Sequence, residues 1–368
     1  MRILVDEQIP FLADSLSKVG DVVTFSARNL SKEFILETNC KFLFVRSNTK
    51  VDKDLLDGSE VLFVGTATSG VDHIDLDYLN SKGIYFVDAK GSNANSVAEY
   101  VVFSILHWAL EKGSNLCELT IGIIGFGNIG SLVGKYSHLL GLKLLVYDPP
   151  LLEKIEFGKE NNFPEYVTYC ELKELLSKSN IVTNHVPLTS TGNYPTVKML
   201  NKNMLDLIQE DALFIHTSRG GVVSETDLLQ ILTEKRVSVV IDVWENEPQI
   251  NSNLVDLCDI STPHIAGYSY EGKLRGTLKM LQSFEKFTNV TPNYSILEKE
   301  MQRYVPLDKR VFKSPKLLYN KLKETRKLLE DSFFLKSIIY NTDEEGKANY
   351  FDKLRKFYPK RHEILDCL

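Results

Sequence analysis

The stretch "IGIIGFGNIG", residues 121 to 130, does most to limit what this chain can fold into. It sets Gly125-x-Gly127-x-x-Gly130 between an apolar strand pattern and a helical one, and "LKLLVYD" then supplies a second strand running into Asp148. In a strand-turn-helix-strand unit each glycine has its own steric duty. Gly125 permits the tight turn, Gly127 lets the backbone approach a pyrophosphate, and Gly130 lets the helix lie close on the strand. Asn128 and Ile129 open the helix, where free N–H groups face phosphate charge. Asp148 stands where a carboxylate can accept bonds from the adenosine ribose hydroxyls. That favours NAD over NADP, because a 2′-phosphate would be repelled.

This unit begins about a third of the way along, after another α/β series. The apolar runs "RILVDE", "DVVTFS", "KFLFVRS", "EVLFVGTA" and "GIYFVDA" predict strands separated by helical stretches. A nearly apolar helix follows over about 95–113, and its lack of a polar face predicts burial between layers. Beyond the glycine turn, "NIVTNHVP", "ALFIHTS", "VSVVIDVW" and "DISTPH" continue the strand series, and "EGKLRGTLKMLQSFEKF" reads as a helix. The expected fold is α/β, two Rossmann-like doubly wound parallel-sheet domains with the nucleotide domain inserted in the substrate domain. We expect a substrate-binding lid from 1–94 and 265–290, an NAD-binding domain over 95–264, and a small C-terminal α+β domain over 291–368.

A length of 368 residues supports this division, being too long for one ordinary core. No apolar run reaches the roughly 20 residues that span a bilayer, and "MRILVDEQIPFL" lacks the features of a signal peptide. The five cysteines, Cys40, Cys117, Cys170, Cys258 and Cys367, are scattered without disulfide or zinc spacing. The expectation is a cytoplasmic enzyme that binds no metal. The net charge of −6 hides an asymmetry, because residues 291–368 hold 17 Lys and Arg against 12 Asp and Glu. Those cations alternate with acidic and apolar residues, as on a helical surface or a docked face, so neither a nucleic-acid nor a membrane partner is expected.

Ligands of open α/β sheets bind beyond the carboxyl ends of the strands. There "ALFIHTSRG" delivers Arg219, "VSVVIDVWENEP" runs out to Glu247, and "DISTPH" ends in His264. Taken singly, each has an ordinary loop explanation. Together they suit hydride transfer at a hydroxyl carbon beside a carboxylate. Arg219 would clamp the substrate carboxylate. His264 would exchange the hydroxyl proton, and Glu247 would fix the imidazole through its other nitrogen. His216 and His185 compete for the role of base.

In order and spacing, "GFGNIG", "HTSRGG", "DVWENEP" and "PHIAG" resemble the motifs of the D-isomer-specific 2-hydroxyacid dehydrogenases, over about residues 1–290. The resemblance implies catalytic roles for Arg219, Glu247 and His264. "MRILVDEQIPF", "VRSNTKVD", "FVGTATSGVDHID", "HIAGYSYEGKLRGT" and "FDKLRKFYPKR" are similar to a narrower branch of that family, acting on a phosphorylated four-carbon 2-hydroxy acid. That similarity implies substrate contacts from Ser47, Thr68 and Tyr268, NAD contacts at Asp148, Asp242 and Gly267, and a homodimer formed through the C-terminal domain. Val186 stands where a threonine is common beside the cofactor, which leaves only a backbone contact there. Arg46, next to Ser47, could face the substrate phosphate. "KLRK", with Arg355, could reach a partner subunit's cleft or be a solvated helix face. A 3-phosphoglycerate dehydrogenase and a non-catalytic NAD-sensing protein are the alternatives.

Overall fold

The computed structural model describes residues 1 to 365, apart from the side chains of Tyr340 and Asn341, so Cys367 lies outside the described residues. The chain forms two compact units: residues 1–93 with 268–305, and residues 94–267 with 306 onward.

The first unit is built on strands β1 (Arg2–Asp6), β2 (Asp21–Phe25), β3 (Phe42–Val45), β4 (Phe63–Thr66) and β5 (Tyr85–Asp88). They pair in parallel in the order β2-β1-β3-β4-β5. Both faces of such a sheet are covered, which is why its strands read as unbroken apolar runs. Successive residues still alternate sides. Ile3, Val5, Phe42, Phe44 and Phe63 line one core, while Leu4, Leu43, Val45 and Val64 line the other. The helix Tyr270–Thr288 returns the chain to the first of these cores through Leu274, Met280, Leu281 and Phe284. Its close seat depends on Gly65 in β4, where a Cβ would lie 2.9 Å from the Met280 sulfur.

The second unit carries β6 (Thr120–Ile124), β7 (Lys143–Tyr147), β8 (Val167–Tyr169), β9 (Ile181–Asn184), β10 (Leu213–His216), β11 (Ser238–Ile241) and β12 (Ile260–Ser261). The order β12-β11-β10-β9-β6-β7-β8 is parallel throughout and reverses direction between β6 and β9. That reversal opens the crevice in which dinucleotides bind in doubly wound sheets. The apolar helix expected over 95–113 runs from Ala94 to Glu111 and is buried on nearly every side.

The C-terminal segment differs from expectation. Its regular elements from residue 306 on, among the described residues, are helices, with no strand: chiefly Pro315–Arg326, Leu328–Asn341 and Glu344–Lys356. Leu318 and Leu322, one helical turn apart, are both fully buried. Leu335 and Phe351 join the core around Phe214, Ile241 and Trp244, so this segment belongs to the nucleotide unit rather than standing apart. The chain end is tied to the helix Ala94–Glu111 as well. Ile364 and Leu365 donate their backbone N–H groups to Glu99 Oε1, both at 2.6 Å, and Asn95 donates to the Leu365 carbonyl.

Candidate active site

The glycine turn is shaped as its spacing requires. Gly125 follows β6 with φ of 85°, a conformation open chiefly to glycine. A Cβ on Gly130 would sit 2.0 Å from the Gly125 carbonyl oxygen, so the helix Asn128–Leu139 approaches the strand only because that side chain is missing. A Cβ on Gly127 would meet nothing within 4 Å. The turn therefore has open space in front of a twelve-residue helix whose first N–H groups are unpaired by the helix itself. Asp148 accepts from the Phe126 N–H at 2.7 Å and from the Leu151 N–H at 2.9 Å, which fixes its carboxylate beside the turn. Each of its oxygens keeps a second lone pair for a ribose hydroxyl. Val186 lies against Gly125, its Cγ1 2.9 Å from where a Cβ would stand.

Arg219, Glu247 and His264 all lie in loops after β10, β11 and β12. The first two loops touch through backbone, because a Cβ on Gly220 would fall 1.8 Å from the Trp244 carbonyl oxygen. Arg219 thus stands one residue from the loop that carries Glu247, its Nη1 donating to the Ser218 carbonyl at 2.8 Å. The Trp244 N–H donates to Glu247 Oε1 at 3.0 Å. His264 Nδ1 lies 2.8 Å from Glu247 Oε2 and 3.0 Å from Oε1. A carboxylate only accepts, so the proton is on Nδ1 and Nε2 is left as the acceptor of the neutral ring.

β12 is shorter than "DISTPH" suggested, and His264 sits past its end at φ of 57°. A non-glycine residue holds such a conformation only where its surroundings impose it. Asp242 does this here. It is buried and accepts from the Thr262 hydroxyl at 2.6 Å, the Ile265 N–H at 2.7 Å and the Ala266 N–H at 2.9 Å. Asp242, expected from the sequence to contact the cofactor, thus has a structural duty, fixing the turn from Thr262 to Ala266. Burial pushes the Asp242 carboxyl up, against the opposing charge of His264 and these hydrogen bonds. Burial also acts to raise Glu247, but the His264 bond and charge, with Trp244 and Arg355, bring it below the usual carboxylate range.

Burial shifts both competing histidines toward the neutral form. His216 is buried against Asn184 and is pushed down to about 3 by burial. His185, bonded to Thr183, falls to about 3 through burial and the charge of His216.

Two further residues reach this region without having been assigned to it from the sequence. The Arg326 guanidinium is fully buried and donates to the Ala266 carbonyl at 2.9 Å and to the Ser96 hydroxyl at 3.0 Å. Arg355 lies 3.6 Å from Glu247 of its own chain, while Lys353 and Lys356 of the same "KLRK" stretch are exposed. Both lie in Lys- and Arg-rich helices, where nothing in the spacing marks the inward-facing cation.

In the first unit, Arg46 donates from Nε to the buried carboxylate of Asp6 at 3.1 Å. Ser47 beside it is exposed. The Thr68 hydroxyl is 2.8 Å from that of Thr66 and donates to the Gly70 carbonyl. Tyr268 is half-buried and directly precedes Ser269, which caps the helix Tyr270–Thr288 by accepting from the Gly272 N–H.

Comparison with known proteins fits this geometry. The model of the D-isomer specific 2-hydroxyacid dehydrogenase, NAD binding domain, matches residues 105–266. An erythronate-4-phosphate dehydrogenase of Wigglesworthia glossinidia brevipalpis is 38% identical over 99% of this chain and 92% of its own length. The chain belongs to the D-isomer-specific 2-hydroxyacid dehydrogenase family. The protein of the same name from Proteus mirabilis is 36% identical over 99% of this chain and 93% of its own. A D-lactate dehydrogenase from Aquifex aeolicus, solved with NAD and lactic acid, shares the fold. Its TM-score is 0.62 at 23% identity, covering 78% of this chain and 96% of that one. As a 2-hydroxyacid dehydrogenase this chain is an NAD-dependent oxidoreductase.

Proposed function

We propose that this enzyme oxidises 4-phospho-D-erythronate to 2-oxo-3-hydroxy-4-phosphobutanoate with NAD, a step toward pyridoxal 5′-phosphate. The observation that carries the substrate is the 38% identity, extending over 99% of the chain, to a relative named erythronate-4-phosphate dehydrogenase. The His264–Glu247 pair supports the reaction type.

Gly125, Gly127, Asn128, Ile129 and Gly130 would receive the pyrophosphate, and Asp148 the ribose. Val186, Asp242 and Gly267 would flank the nicotinamide end. When bound, the oxidised dinucleotide accepts a hydride from the carbon bearing the hydroxyl. His264 Nε2 takes the hydroxyl proton as that C–H bond breaks, and Glu247 stabilises the resulting imidazolium. Arg219 holds the substrate carboxylate by paired hydrogen bonds. Arg46 would meet the phosphate, with Ser47, Thr68 and Tyr268 contacting the rest of the acid. A substrate carrying about three negative charges needs such cations on an acidic protein.

Among the described residues no helix is long and apolar enough to cross a membrane. We place the enzyme in the cytoplasm, where Cys40, Cys117, Cys170 and Cys258 would remain free thiols, as they are here. A homodimer through the C-terminal segment would cover Phe333, Phe334 and Phe357, all exposed.

The experiment is NADH formation followed with 4-phosphoerythronate and with 3-phosphoglycerate. We expect kcat/KM to favour the first by about a hundredfold or more. Preference for 3-phosphoglycerate would transfer the protein to another branch of the family. No NADH from either would favour an NAD-sensing role.

A further inference from the structure

We propose that Arg355 is a positioning residue for the His264–Glu247 pair of its own chain, setting the pH range in which that pair exchanges protons. The inference rests on the reading of His264 as the base. Arg355 Nη1 lies 3.6 Å from Glu247 Oε2, the same oxygen that meets His264 Nδ1 at 2.8 Å. One carboxylate oxygen is therefore shared between a permanent cation and the imidazole. The arrangement is anchored rather than loose. Arg355 lies one turn beyond Phe351 on the helix Glu344–Lys356, with its guanidinium carbon 5.7 Å from the Phe351 ring centre. Phe351 is fully buried in the core that also holds Trp244, whose backbone N–H binds the other oxygen of Glu247.

The charges around the pair give this contact its consequence. Asp242 faces it through the turn at Thr262–Ala266. His216 at the end of β10 and Glu225 at the start of the helix Glu225–Glu234 interact with Glu247, and burial holds His216 neutral and raises the Glu225 carboxyl. Among the described ion pairs, Arg355 is the permanent cation that meets a Glu247 oxygen directly. An imidazole facing carboxylates alone would hold its proton tightly, whereas alcohol oxidation requires a neutral ring that can accept one. By drawing on the charge of Glu247, the guanidinium weakens that hold and leaves the orienting hydrogen bond in place.

The sign follows. Without Arg355 the full charge of Glu247 favours imidazolium, so a higher pH is needed to generate the base. The test measures kcat and KM for oxidation from acid to alkaline pH in the full-length protein, for wild type, Arg355→Gln and Arg355→Lys. We expect the acid limb of kcat/KM in Arg355→Gln to move up by about half a pH unit or more. Its kcat near neutrality should fall several-fold and recover at alkaline pH, roughly as a simple titration requires. Arg355→Lys should keep the limb close to that of wild type. A higher KM in Arg355→Gln with an unmoved limb would overturn the proposal and make Arg355 a substrate contact. An equal loss at every pH, with a lower Tm, would also overturn it and make Arg355 a tether. If His264→Ala retained full activity, the reading of the base would fail first. A wild-type profile governed by His264 but blind to Arg355 would sink this inference alone.

Discussion

The proposed base, His264, has its other nitrogen already committed to Glu247, whose two oxygens lie at 2.8 and 3.0 Å. His264→Ala should therefore lower kcat by about 10²- to 10⁴-fold. NAD+ affinity, read by quenching of protein fluorescence, should change little, because the glycine turn lies elsewhere on the sheet. Glu247→Gln keeps an acceptor for Nδ1 but loses the charge, so its loss should be smaller and pH-dependent. Wild-type NAD+ affinity lost together with kcat in His264→Ala would show a collapsed loop rather than a missing base. At this scale the sequence was legible in the polar candidates that follow the strands, of which His264 and Glu247 prove to be paired. Arg219, Glu247 and His264 could be named because each follows an apolar run. Arg326 could not, since burial of one guanidinium among the cations of "KLKETRKLLED" is decided by packing. Arg355 was noticed, but spacing alone cannot say which chain's carboxylate it meets.

The elements were legible to different depths. Parallel strands covered on both faces must be apolar along their length, so β1, β3, β6 and β10 stood out as runs. Their ends did not. "DISTPH" stops being a strand after Ser261 because Pro263 has no N–H to give a longer ladder and His264 leaves the extended conformation at φ of 57°. Gly220 shows how one position joins two such loops. Its missing Cβ leaves room for the Trp244 carbonyl, a rigid backbone atom that cannot swing aside. Gly220→Ala should push apart the loops bearing Arg219 and Glu247. We expect a cost of about 1–3 kcal/mol and a fall in kcat/KM larger than the fall in Tm would explain. An alanine variant with unchanged kinetics would show that this contact does not set the site's geometry.

For the whole molecule, composition and the strand series gave two α/β bodies with one inserted in the other, but not the allegiance of the chain's last part. Lys- and Glu-rich helices can stand alone, dimerise or dock, and their surfaces read alike. What decides is the set of apolar residues turned inward: Leu318, Leu322, Leu328, Leu335 and Phe351 are all buried. Each is worth about 1.5–3 kcal/mol, so together they rival the 5–15 kcal/mol that typically separates a folded domain from its unfolded chain. A chain ending at Val305 should therefore lose cooperative unfolding of the nucleotide unit and bind no NAD+, as calorimetry and titration would show. Retained NAD+ binding would mean that the segment is an independent appendage.

The bonds from Ile364 and Leu365 to Glu99 carry a consequence for the order of events during synthesis. The helix Ala94–Glu111 leaves the ribosome early, yet its buried carboxylate waits for partners some 265 residues downstream. The first unit has all its strands and its returning helix by residue 305 and can condense while translation continues. The nucleotide unit stays open at this flank until residue 365 has been made, so we expect dinucleotide binding to arise only after that point.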